Sequence, residues 1–244
     1  MSVPDPANTT VVIHPRFRGP PRSGNGGYVC GLMAAPLAGP VAARLRAPPP
    51  LETPLVLAAA VESVRLEDGP TLVGEARRAP LEIEVPSPPA YAAAVAAAQD
   101  FAGDHHHPFP GCFVCGTERA AGDGLRIFPG RLPGTTQVAA PWTPDASLGD
   151  AAGVVRREFL WSALDCTGAF AVWPAPGSVA IVLGELCAEL VGSVRVGEPC
   201  VVLGWPLGKE GRKRFAGSAI FASDARLVAR ARATWIEVPH SAWQ

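Results

Sequence analysis

EFLWSALDCTGAFAVW, residues 158–173, reads as one buried helix whose interior carries a single carboxylate, Asp165. The run is longer than an ordinary strand, although apolar periodicity alone does not separate a buried helix from a pair of buried strands. A second stretch, GGYVCGLMAA at residues 26–35, has the same apolar character. Its Gly26, Gly27 and Gly31 each weaken a helix by up to about 1 kcal/mol. Their presence therefore asks for a reason other than helix propensity.

Working outward from these two stretches, the flanking sequence repeats itself, and a diverged duplication changes the reading of the whole fold. TTVVIHPRF at 9–17 parallels TTQVAAPWT at 135–143, with Pro15 and Pro141 in register. Each is a short strand that stops at a proline and precedes a polar loop and one of the helices. ETPLVLAAAVE at 52–62 then matches EPCVVLGWPL at 198–207, a turn followed by a β-rich run. The first half closes with TLVGEARRA (71–79) and LEIEV (81–85), the second with RFAGSAIFASD (214–224) and LVARARATWIEV (227–238), all strand-like. Each half thus reads as strand, buried helix, then several antiparallel strands. A sheet that curls around its helix buries such a helix most simply.

Two units fit the length of 244 residues. AYAAAVAAAQDF at 90–101 predicts a linking helix over about 90–102, and the boundary is set there, giving units 1–104 and 105–244. The 27 prolines and 26 glycines punctuate short apolar runs rather than massing together, so they mark turns between strands. With 21 basic against 22 acidic residues, the net charge of -1 offers no field to collect nucleic acid, and no run is long and apolar enough to span a membrane. The small-molecule class of ligand remains. MSVPDPANTT has no basic start or apolar run of a secretory signal, so a cytoplasmic protein is expected. The six cysteines, Cys30, Cys166, Cys187 and Cys200 among them, sit in apolar segments and read as buried reduced thiols.

GNGGYVCGLMA at 24–34 resembles the glycine-rich start of the central helix in hotdog-fold acyl-CoA thioesterases, and FLWSALDCTGAFA at 159–171 resembles their central helix with the catalytic acid. The order of elements is similar to the double-hotdog members of that superfamily. The resemblance implies an α+β fold of two tandem hotdog domains, each an antiparallel sheet wrapped on a central helix, paired as an intramolecular pseudo-dimer. It also implies a site between the two, where a backbone N–H at the start of one helix faces a carboxylate on the other. Aligned on each other, the helices set Met33 opposite Asp165 and Glu158-Phe159 opposite Gly26-Gly27, so each half keeps one part and loses the other.

Thioester hydrolysis needs an activated water or nucleophile and a stabiliser for the oxyanion. Asp165 is the candidate for the first; as a structural carboxylate it would instead need a backbone or arginine partner. Gly26 and Gly27 are candidates for the second, because a helix N-terminus presents unpaired N–H groups and glycine admits the substrate closely. Asn25 beside them would orient the carbonyl or the water, or simply cap the helix. Ser162 and Thr167 are weaker candidates for holding substrate or water near Asp165.

Cys112 and Cys115, preceded by His105, His106 and His107, form half a zinc knuckle without a second C-x-x-C; a structural metal held with one or two of the histidines is one reading, a turn with reduced thiols the simpler one, and no catalytic metal or other cofactor is assigned. His14 is a lone histidine at a strand end. Lys209, Arg212, Lys213 and Arg214 suit either CoA phosphates or a solvated hairpin and are not counted as a site. Hydratases of the same fold pair an Asp with a His, and no histidine follows Asp165 in its helix. The stronger rival is an acyl-CoA or lipid-binding module without turnover. The expected partner is an acyl-CoA or acyl thioester, with neither nucleic acid nor membrane; assembly of such pairs into a homo-oligomer is left open.

Overall fold

A computed structural model describes residues 7–105, 107–174 and 179–239. His106 and the first residues of MSVPDPANTT lie outside them. The first half of the chain forms β1 (Ala7–Val12), α1 (Gly26–Ala34), β2 (Val41–Leu45), β3 (Pro54–Ala59), β4 (Ser63–Asp68) and β5 (Thr71–Arg78). After α2 (Tyr91–Ala97) come β6 (Gly130–Arg131), β7 (Val138–Trp142), α3 (Arg157–Ala171), β8 (Val179–Leu190), β9 (Cys200–Glu210), β10 (Lys213–Ala222) and β11 (Leu227–Pro239).

Among the described residues the strands make one antiparallel sheet, in the order β1-β3-β4-β5-β2-β8-β11-β10-β9-β7-β6. Apart from β6 at one edge, the order reads alike from either side towards the centre, where β2 meets β8 with Val41 opposite Ala188 and Ala43 opposite Leu186. One antiparallel sheet for each half was expected, and that pairing makes the two continuous. An Arg44–Glu185 ion pair at 2.6 Å crosses the same junction.

α1 and α3 lie against each other inside the curl, and the core runs unbroken from Ile13, Val29 and Leu55 to Phe159, Trp161 and Ile220. The glycines of α1 explain this contact. A Cβ on Gly27 would lie 2.6 Å from the Trp161 carbonyl oxygen, and one on Gly31 would lie 2.7 Å from the Glu158 Cα. Bare glycine lets the two backbones approach, which offsets the poor helix propensity. α3, by contrast, gains its helicity from burial, since Phe159 through Phe170 are all buried.

Three expectations need correction. LEIEV is not a strand: prolines at Pro80 and Pro86 flank it, and its Ile83 and Val85 instead pack on an outer-face cluster that includes Ala94, Ala97, Leu203, Trp205 and Phe221. The linking helix is regular only over Tyr91–Ala97, and it lies on β7 and β9 of the second half. Pro15 and Pro141 are not equivalent, because Pro141 sits within β7 whereas Pro15 opens a 3-10 turn after β1. The corresponding points are the pairs Val12–Pro54 and Trp142–Cys200, followed by the turn-capping residues His14 and Asp145.

Candidate active site

Asn25 ends the approach to α1 in extended backbone, and its Oδ1 accepts the Tyr28 N–H at 3.0 Å, capping the helix. That bond fixes the amide so that its Nδ2 donates to Asp165 Oδ2 at 2.9 Å. The Gly27 N–H donates to the same oxygen at 2.9 Å. Asp165 reaches them because it sits on the α3 face turned to α1, and it is 2% exposed. Its other oxygen, Oδ1, has no hydrogen-bond partner among the described residues. Burial pushes the carboxyl up to about 7; the Gly27 N–H and the Asn25 amide oppose this, and Cys112 adds to it.

Asp165, Asn25 and Gly26 line one cavity of about 260 Å³, whose remaining wall is largely apolar and includes Leu45, Phe170 and Trp235. It draws on the start of α1, the second half of α3 and the strands β8 and β11. The Gly26 N–H, at the first position of α1, has no partner among the described residues. The site thus offers a carboxylate oxygen free to exchange a proton and, across the cavity wall, a helix-terminal donor.

The expected residues fall into different places. Asn25 is both a cap and a partner of Asp165. Gly27 does not offer its N–H to a substrate, because Asp165 already accepts it, and of the two glycines only Gly26 lines the cavity. Ser162 and Thr167 are fully buried, with hydroxyls donating to the Glu158 and Ala163 carbonyls of their own helix at 2.8 and 3.3 Å. Neither lines the cavity. The opposing helix position is corrected by one residue: counted from the helix starts, Ala34 rather than Met33 answers to Asp165, and Arg157-Glu158 answer to Gly26-Gly27. The contacts agree, since Gly31 faces Glu158 as Gly27 faces Ser162.

His107 was legible only as a metal ligand, yet it lines the same cavity beside Phe170, with Nδ1 accepting the Phe109 N–H at 3.0 Å. Burial pulls its pKa below the ordinary value, outweighing the opposing effect of Cys112 and the neighbouring acids. Cys112, Cys115 and Cys166 line the cavity as well. Outside it, His14 accepts the Arg16 N–H as the cap of a 3-10 turn. Lys209 and Arg214 are both engaged by Glu237, at 2.8 and 2.6 Å.

No family model and no curated protein matches the chain by sequence. Among solved structures, a conserved protein of unknown function with a hot dog fold from Alicyclobacillus acidocaldarius aligns over 95% of this chain and 93% of its own, at 11% identity and a TM-score of 0.59. The tesB protein of Mycobacterium avium subspecies paratuberculosis aligns over 88% of each chain at 14% identity, also with a TM-score of 0.59. A thioesterase of Haemophilus influenzae aligns with 52% of this chain and 86% of its own at 16% identity and a TM-score of 0.45.

Proposed function

Because the chain carries the hotdog fold, we propose that it is a hydrolase of acyl-CoA or a related acyl thioester, built as a double hotdog from residues 1–104 and 105–244. In this reading one chain supplies both partners of the pair, and only one of two symmetry-related sites is equipped. The mirrored strand order and the correspondence of α1 with α3 support it.

One observation carries the functional reading. A buried carboxylate on α3 is held through one oxygen by Asn25 and Gly27 at the start of α1, its second oxygen has no partner among the described residues, and the residue lines an apolar cavity. With the acyl chain in that cavity, the thioester carbonyl lies against the Gly26 N–H. Water attacks the carbonyl carbon and gives its proton to Asp165 Oδ1, and the oxyanion forms at the helix terminus. Collapse of the tetrahedral intermediate breaks the C–S bond, and the departing thiolate takes the proton back from Asp165. Fold alone does not choose this chemistry; the placement of the acid and donor supports it.

The test is release of free thiol from a panel of acyl-CoAs by the purified chain. Turnover with at least one acyl class is expected. Tight acyl-CoA binding without thiol release would reassign the protein to the non-catalytic binding modules, and hydration of enoyl-CoA without thiol release would reassign it to the hydratases.

A further inference from the structure

Cys112 and Cys115, in the loop before β6, meet Cys166 on α3, and the three Sγ atoms all lie within 4.8 Å of one another. We propose that these three thiols bind one zinc ion, as thiolates, on the wall of the cavity that Asp165 lines.

The distances suit the ion. Two thiolates each about 2.3 Å from a tetrahedral zinc are about 3.8 Å apart, and Cys112 Sγ to Cys166 Sγ is 3.8 Å. The hydrogen bonding also separates this cluster from the remaining thiols. Cys30, Cys187 and Cys200 each donate to a backbone carbonyl, of Ala43, Pro80 and Glu198 respectively, as neutral thiols do. Cys112 and Cys166 instead face a side-chain donor and each other. The Asn25 amide reaches Cys112 Sγ at 3.9 Å and Cys166 Sγ at 4.0 Å. A side-chain amide beside the sulfurs is the kind of outer partner that metal-bound ligands take.

The loop is held rigidly enough to act as a ligand arm. Phe113 is fully buried, with its ring 5.1 Å from Phe17 and 5.8 Å from Phe159, so the loop is pinned to both helices' surroundings. The Phe113 N–H donates to the Arg18 carbonyl, and the Gly116 N–H closes the turn on the Cys112 carbonyl. Zinc binding displaces three thiol protons to solvent and leaves a Cys₃ site. No fourth His, Cys, Asp or Glu among the described residues joins the cluster. Its fourth position is then taken by water from the cavity, since all three cysteines line it.

The inference stands apart from the thioesterase reading, and its test does not use activity. The full chain, expressed without a histidine tag and purified reduced and without chelator, should carry about one zinc per molecule by elemental analysis. The cobalt-substituted chain should show thiolate-to-cobalt charge transfer and tetrahedral ligand-field bands. Cys115→Ser should hold zinc about tenfold or more weakly, while Cys200→Ser, outside the cluster, should retain it. Should Cys115→Ser fail to fold, the cobalt spectrum of the unaltered chain decides. A reduced, folded chain with no stoichiometric zinc and no charge-transfer band on titration with Co²⁺ would overturn the proposal.

Discussion

Gly27 and Asp165 meet in two ways: the Gly27 N–H donates to Asp165 Oδ2 at 2.9 Å, and a Cβ on Gly27 would lie 2.5 Å from the Asp165 Cβ. The glycine is needed for the approach that makes the bond. Gly27→Ala is therefore expected to push α1 and α3 apart, costing about 1–3 kcal/mol of stability as overpacking does. In the proposed enzyme the added methyl also moves the residue-27 N–H, which alanine keeps, away from the acid it fixes, so turnover falls even where the chain is folded. Thermal melting and turnover on one preparation check both effects; an unchanged melting temperature would contradict the packing.

Asn25 joins two tasks that substitutions can separate. Asn25→Ala removes the α1 cap, at about 0.5–2 kcal/mol, and leaves Asp165 Oδ2 with only the Gly27 N–H. Asn25→Asp keeps an oxygen for the Tyr28 N–H but sets a second carboxyl against Asp165 in place of a donor. The prediction is that Asn25→Asp restores capping yet loses turnover at least as severely as Asn25→Ala. Equal, near-native turnover in both would confine Asn25 to capping.

The reach of the sequence reading follows from what each feature depends on. Asp165 stood out because a carboxylate inside an apolar helix needs compensation, and Asn25 and Gly26 stood out because a helix start has free N–H groups. The match of Glu52 with Glu198 predicts the correspondence of β3 with β9, and it agrees with the strand pairing, in which Pro54 faces Val12 as Cys200 faces Trp142. The proline alignment slipped because prolines end or edge strands in more than one context. β8 went unread: its counterpart β2 is only Val41–Leu45, too short and alanine-rich to reveal a match. Cys166 gave no local sign of its partners, since its contact with Cys112 spans 54 positions. The role of the Gly27 N–H was likewise illegible, because it depends on how close two helices come.

Ser162 and Thr167 supply the complementary prediction. Both hydroxyls return to carbonyls one helical turn earlier and face away from the cavity. Ser162→Ala and Thr167→Val should thus leave turnover near wild type and shift stability by about 0.5–1.5 kcal/mol at most, the net value of one hydrogen bond. Steady-state kinetics on the two variants checks this. A large loss of turnover in a fully folded Ser162→Ala protein would show that the hydroxyl reorients towards substrate.

Asp165→Asn tests the function most directly. The asparagine oxygen can still accept from the Asn25 amide and the Gly27 N–H, so the junction of α1 and α3 is preserved. Its nitrogen then occupies the place of Oδ1, the atom without a partner among the described residues, and it cannot accept a proton from water. Removing a charge that burial disfavours should leave the melting temperature equal to or above that of the unaltered chain. If the carboxylate takes part in the chemical step, turnover drops by at least about 10² with little change in affinity for acyl-CoA. A structural carboxylate predicts the reverse pattern, in which melting temperature falls and activity is lost only in proportion to unfolding. Thiol release, ligand binding and melting measured on the same folded protein separate the two, and full turnover in Asp165→Asn would remove Asp165 from the mechanism.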